Sequence, residues 1–238
     1  MIIDVCVALG PNSEGYLAFL IETIEATASG QHSFHYILGL NDGSNFESIK
    51  KIVSGRSALL LDAHTGHGYS SMSHGLCFDL IFRHVSAPVA LFVDCDVAFI
   101  QHDWDMIMLS RLHDRNVIIG AEYDGQKYKK FPNVICALFL TEPVSQLDIS
   151  FKPESAPAVV SISQELRAIY GYESDQAVNI ILDTGSELPR KLQLAGYTGT
   201  YMPLVRSNMP AAQFMEPDMR GEEYQLDGTP LFTHIGRS

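Results

Sequence analysis

Along the first hundred residues the apolar positions switch repeatedly between two periods. Residues 2–9, IIDVCVAL, form a short apolar run rich in β-branched side chains. The run closes at GPNSEG, whose turn and helix-start residues end one element and open the next. Residues 16–28, YLAFLIETIEATA, carry apolar side chains at helical spacing. The alternation then repeats: FHYILGL at 34–40 predicts a strand ending at NDGS, ESIKKIVSG at 47–55 a short helix, and ALLLDA at 58–63 a third strand. HTGHGYS is a Gly-rich turn, SMSHGLCFDLIFRHV at 71–85 a helix that stops before Ser86, and VALFV at 89–93 a fourth strand. Strands alternating with helices predict an α/β fold with a mostly parallel central sheet flanked by helices. In such sheets ligands bind outside the carboxyl ends of the strands.

The second half is less regular. WDMIMLSRLH at 104–113 predicts a helix, NVIIGAEY at 116–123 and VICALFL at 134–140 predict strands, and DQAVNIIL lies within a helix starting near Ser174. From Leu188 onward Pro and Gly recur and periodicity fades, which predicts an irregular C-terminal segment. Its stretch 188–233 is expected to act as a closing lid. No repeat or low-complexity linker divides the 238 residues, so one domain is expected, with 1–100 and 101–238 as its two halves.

Composition narrows the function classes. A net charge of −12 argues against a nucleic-acid face, which needs clustered Lys and Arg to neutralise phosphates. No apolar run approaches the roughly 20 residues needed to cross a bilayer. The start MIIDVCVALG reads directly as a strand, without the basic first residues of a signal peptide. Cys6, Cys77, Cys95 and Cys136 are scattered without zinc spacing and read as reduced core thiols, so a cytoplasmic protein is expected.

The exit of the fourth strand carries the chemistry. ALFVDCDVAFI at 90–100 sets Asp94 and Asp96 around Cys95 in a strongly apolar stretch. A buried strand tolerates no unpaired charge, and two carboxylates this close repel each other. Alternation along a strand turns both aspartates to one side and Cys95 to the other. If the strand ends there, both can turn into a cleft. Paired carboxylates suit a hard divalent cation, Mn²⁺ or Mg²⁺, whose remaining positions are filled by water and substrate phosphates. The plainer reading is a pair of surface aspartates at a strand-to-loop junction, but the apolar residues on both sides leave little polar context for it. Haloacid-dehalogenase phosphatases also place D-x-D after an apolar strand, but as the first motif of the fold. Here three strands precede it.

The order of motifs resembles the nucleotide-sugar glycosyltransferases of the GT-A fold over nearly the whole chain. A first strand ends in ALGPNSEGY, a second in NDGS, and a later strand runs into DCD. FPNVICALFL resembles the acceptor-side strand, although Ile135 stands where a Gly is usual. ESDQAVNIIL resembles the Asp-Gln helix start of the retaining, glycogenin-like branch, with Ala177 in place of an Asp. THIGRS resembles the terminal His-x-x-Gly-x-x-Lys element of that branch, with Gly236 two residues after His234 and Arg237 following.

The resemblance implies a cofactor, Mn²⁺ or Mg²⁺, held by Asp94, Asp96 and His234, with Asp94 also touching the ribose. It implies a UDP-sugar donor and a glycan or other hydroxyl-bearing acceptor. The cation would bridge the two phosphates and neutralise the leaving diphosphate, and Arg237 would either pair with that diphosphate or stand as a solvated terminal charge. Asp175 and Gln176 would lie near the sugar, Asp175 as general base in an inverting enzyme, or the pair holding the sugar in a retaining one. Asp175 or Ser174 could equally be a helix N-cap. Ala8, Leu9, Asn12, Tyr16 and Asp42 are expected to contact the nucleoside. Ser70 or Ser71 would contact the donor from a loop in which Gly66 and Gly68 disfavour a helix pairing His64 with His67 on zinc. Trp104, the only tryptophan, either packs in the core or lines the acceptor side. A nucleotidyltransferase would place a basic residue in the first phosphate loop, and GPNSEGY has none. A non-catalytic nucleotide-sugar-binding protein is the remaining alternative.

Overall fold

The computed structural model describes residues 1–68, 70–122, 132–153, 184–215 and 221–235. Five strands and three helices alternate first: β1 Ile2–Leu9, α1 Glu14–Thr27, β2 Ser33–Leu40, α2 Phe46–Ile52, β3 Ala58–Asp62, α3 Ser71–Phe82, β4 Val89–Val93 and β5 Val97–Phe99. They are followed by α4 Trp104–Leu109, β6 Asn116–Glu122, β7 Pro132–Leu140, α5 Thr141–Ser145, α6 Glu187–Leu194, β8 Thr198–Met202, β9 Leu204–Arg206, β10 Glu222–Leu226 and β11 Thr229–His234. The helix expected near Ser174 lies outside the described residues.

Seven strands form the central sheet in the order β3-β2-β1-β4-β7-β6-β8. All neighbours are parallel except around β7, which runs antiparallel to both β4 and β6. This is the mostly parallel α/β sheet that the alternating pattern predicts. Helical crossovers between the parallel strands cover both faces, so the strands read as continuous apolar runs. In β4, Val89, Leu91 and Val93 join the core on the face of α1 and α2, while Ala90 and Phe92 join the core under α3 and α6. Around Phe92 on that second face, Phe78, Phe139 and Phe151 pack with ring centroids 4.8–5.2 Å apart from it.

The stretch from Leu188 is more regular than its Pro- and Gly-rich pattern suggests. Besides α6 it holds four strands, one extending the central sheet and three building a second sheet of order β5-β11-β10-β9. These strands are three to six residues long, too short to show a period between their turns. Residues 97–99, which the sequence joins to the preceding apolar run, therefore belong to a different sheet from β4.

Trp104 is fully buried. Its indole N–H donates to the Ile24 carbonyl (3.2 Å), and the ring packs on Phe99 with centroids 4.1 Å apart. Of the two positions expected for it, the structure selects the core.

Candidate metal centre

The break between the two sheets sets the site. Asp94 follows the last residue of β4, and its amide donates to the Ile135 carbonyl of β7 (2.8 Å). A turn closed by the Val97 amide on the Asp94 carbonyl (3.2 Å) then carries the chain through Cys95 and Asp96 into β5. Cys95 is buried in the core, while Asp96 is 9% exposed and Asp94 half-buried. The aspartates thus sit on a turn at the strand exit, with the cysteine turned away from them.

His234 reaches this turn by strand pairing. It closes β11 directly opposite Val97, and the next amide, of Ile235, donates to the Asp96 carbonyl (2.9 Å). The ring Nε2 lies 3.4 Å from Asp96 Oδ1, and one ligating atom each of Asp94, Asp96 and His234 falls within 4.8 Å of the others. Burial favours a neutral ring, but hydrogen bonds to Asp96 and Glu222 and the charges of Asp96 and Asp94 outweigh it. They push the imidazole up to about 10, which favours a second proton on the ring, one that a cation binding at Nε2 would displace.

Two groups at this centre carry no signal in the sequence patterns. His74, in the first turn of α3, sets Nε2 3.4 Å from Asp94 Oδ1 and its ring against Phe78, centroids 4.5 Å apart. Glu222 sets Oε2 3.3 Å from His234 Nδ1. That hydrogen bond, opposed by partial burial, holds the Glu222 carboxyl below its ordinary range. A histidine four residues after the N-cap Ser70 signals a helix position only, and Glu222 becomes relevant only once β10 is paired with β11.

The donor set fits a divalent cation. Two carboxylates and one imidazole offer hard oxygens with a single borderline nitrogen, the chemistry of a Mn²⁺ or Mg²⁺ site. Asp94, Asp96 and His234 would hold it.

The remaining predicted residues gather at the same edge of the sheet or fall outside the described residues. Parallel register places Leu9 beside Leu40 and Leu40 beside Asp62, so Ala8, Leu9 and Asp42 lie at carboxyl ends of neighbouring strands. Asn12 adopts the left-handed region (φ 59°) in the turn after β1, and Tyr16 lies in the first turn of α1, packed in part against the core. Asp42 is engaged with the Gly-rich loop: it accepts from the Gly66 amide (3.0 Å) and meets His64 Nδ1 at 3.1 Å. Gly66 and Gly68 have φ of 69° and 61°, which fits the expected loop. Ser70 is the N-cap of α3, its hydroxyl accepting from the Ser73 amide (3.3 Å) in a capping box. Asp175, Gln176 and Arg237 lie outside the described residues.

No protein-family profile matches this sequence, and no curated protein sequence does. Solved structures share its fold. The mannosyltransferase PcManGT from Pyrobaculum calidifontis, solved in complex with GDP-Man and Mn²⁺, superposes with a TM-score of 0.57 at 11% identity, over 84% of this chain and 54% of that one. The bifunctional glycosyltransferase WbbM, solved in its apo form, superposes with a TM-score of 0.50 at 11% identity, over 84% and 38%. The chain therefore has the GT-A glycosyltransferase fold, and it spans about half the length of the mannosyltransferase.

Proposed function

We propose that this chain is a metal-dependent glycosyltransferase that moves a sugar, in the first instance a hexose, from a UDP-sugar to a hydroxyl-bearing acceptor. One observation carries the reading: Asp94, Asp96 and His234 converge at the exit of the central strand β4 in a fold shared with a nucleotide-sugar transferase. Residues 1–100 would form the nucleotide half of one domain, and 101–238 the acceptor side. Bound there, Mn²⁺ or Mg²⁺ supplies the charge that stabilises a leaving diphosphate. Ala8, Leu9, Asn12, Tyr16 and Asp42 would hold the nucleoside, and the loop before Ser70 would flank it. Asp42 would exchange its contacts with His64 and Gly66 for the donor. Asp175, Gln176 and Arg237 keep the roles that the resemblance to the glycogenin-like branch implies, near the sugar and the diphosphate.

All four cysteines are free and buried, which favours a reducing compartment such as the cytoplasm. Among the described residues no helix is long and apolar enough to cross a membrane.

The test is incubation of the protein with Mn²⁺ and a panel of UDP-, GDP- and dTDP-sugars, with release of free nucleotide as the readout. Release from a UDP-hexose that stops on chelation is expected. Metal-dependent nucleotide binding without turnover of any donor would favour the non-catalytic binding protein. Neither turnover nor binding would remove the proposal.

A further inference from the structure

We infer that Glu222 is a positioning residue: through Nδ1 it fixes the His234 ring so that Nε2 faces the Asp94–Asp96 turn. The inference rests on the metal reading above and adds a residue that the resemblance does not supply.

Register brings the parts together. Arg206 of β9 stands directly opposite Glu222 of β10, Glu222 opposite His234 of β11, and His234 opposite Val97 of β5. Directly opposed side chains in antiparallel strands lie close enough to interact, so one row across the second sheet runs from a guanidinium to the aspartate turn. Each contact in the row is made. Arg206 Nη1 donates to Glu222 Oε1 (3.0 Å), and the Tyr224 hydroxyl donates to Glu222 Oε2 (3.0 Å). Glu222 Oε2 lies 3.3 Å from His234 Nδ1, and Nε2 on the other side of that ring lies 3.4 Å from Asp96 Oδ1.

The geometry separates the roles of the two ring nitrogens. A proton held on Nδ1 by Glu222 leaves the Nε2 lone pair for a cation, the arrangement by which an outer carboxylate orients a ligating histidine. Glu222 is not a ligand in this scheme. Both of its oxygens are engaged by Arg206, Tyr224 and the far nitrogen of His234, and it stands outside the group of atoms that converge within 4.8 Å. Arg206 and Tyr224 fix Glu222 in turn, so the ring is held by a braced carboxylate.

The test measures Mn²⁺ binding to the whole chain, by the free-Mn²⁺ resonance for affinity and by electron spin-echo modulation for directly bound ¹⁴N. Wild type should show histidine nitrogen on the ion, and His234→Ala should lose it. Glu222→Leu is expected to weaken Mn²⁺ roughly 10–100-fold and to lose the ¹⁴N modulation. Glu222→Gln keeps an acceptor oxygen of the same shape, so it should retain the modulation and recover part of the affinity. That graded rescue is not expected of a change that merely loosens the sheet. Wild-type affinity with full ¹⁴N modulation in Glu222→Leu would overturn the inference, and so would wild-type affinity in Glu222→Gln if the leucine variant does not fold. An Asp96→Asn control that binds Mn²⁺ as wild type does would instead overturn the metal reading on which the inference stands.

Discussion

Several carboxylates are buried in this chain, and their partners separate structural from chemical ones. Asp4, in the middle of β1, accepts from the Ser86 and Ala87 amides (both 2.7 Å) and meets His35 Nδ1 at 2.8 Å, which ties the loop before β4 to the first strand. Asp105 accepts from the amide (2.8 Å) and hydroxyl (2.7 Å) of Ser29 and meets His32 Nδ1 at 2.6 Å, which pins α4 to the end of α1. These are short contacts with backbone and side-chain donors. Asp94 and Asp96 lie 3.4 Å from the imidazoles of His74 and His234, and of these two rings only that of His234 converges with both carboxylates.

Asp105 gives a prediction at this scale. Burial raises its pKa, but hydrogen bonds from His32 and Ser29 outweigh that and hold it below the ordinary value. A depressed folded pKa means that the unfolded chain binds the proton first. The stabilisation is therefore fully present above the unfolded value of about 3.9 and is lost as pH falls through the folded one. Asp105→Asn should cost about 1–3 kcal/mol at neutral pH by leaving buried donors imperfectly paired. The gap from wild type should narrow below about pH 4, as read by urea unfolding at stepped pH. A gap that stays constant down to pH 3 would contradict this role.

At the scale of elements, the hairpin β10–β11 determines where His234 stands. Leu226 pairs with Thr229 across a two-residue turn, and Asp227 and Gly228 take φ of 51° and 81°, the left-handed pair that such hairpins require. A Cβ at Gly228 would meet nothing within 4 Å, so substitution there acts through backbone strain alone. Gly228→Val should cost about 1–2 kcal/mol and lower the melting temperature by about 2–8 °C, as read by thermal unfolding. An unchanged melting temperature would show that the turn tolerates another geometry. Asp-Gly between QL and TPLF is a hairpin signal that can be read in the sequence. The fading of apolar period after Leu188 masks it, because β9, β10 and β11 are short and separated by Pro and Gly. The first four strands were legible for the opposite reason: each is a continuous apolar run closed by turn residues. Asp94 and Asp96 were legible because charge in such a run is conspicuous. His74 and Glu222 were not, since their meaning comes from helix placement and cross-strand register that no local window contains.

At the scale of the whole molecule, the proposed ion would lie where the two sheets meet. The central sheet supplies Asp94 at the end of β4, the second sheet supplies His234 from β11, and Asp96 lies on the turn that joins them. The edge of the parallel strands beside this point is where an α/β sheet binds its ligand. The likeness to solved glycosyltransferases at 11% identity is one of fold, so the reaction rests on the site. The most direct test is calorimetric titration of UDP into wild type and Asp96→Asn, each with Mn²⁺ and with a chelator, with circular dichroism confirming that both are folded. The account predicts binding to wild type with Mn²⁺ that disappears on chelation and in Asp96→Asn. UDP binding of equal strength with the chelator, or unchanged metal dependence in Asp96→Asn, would contradict it.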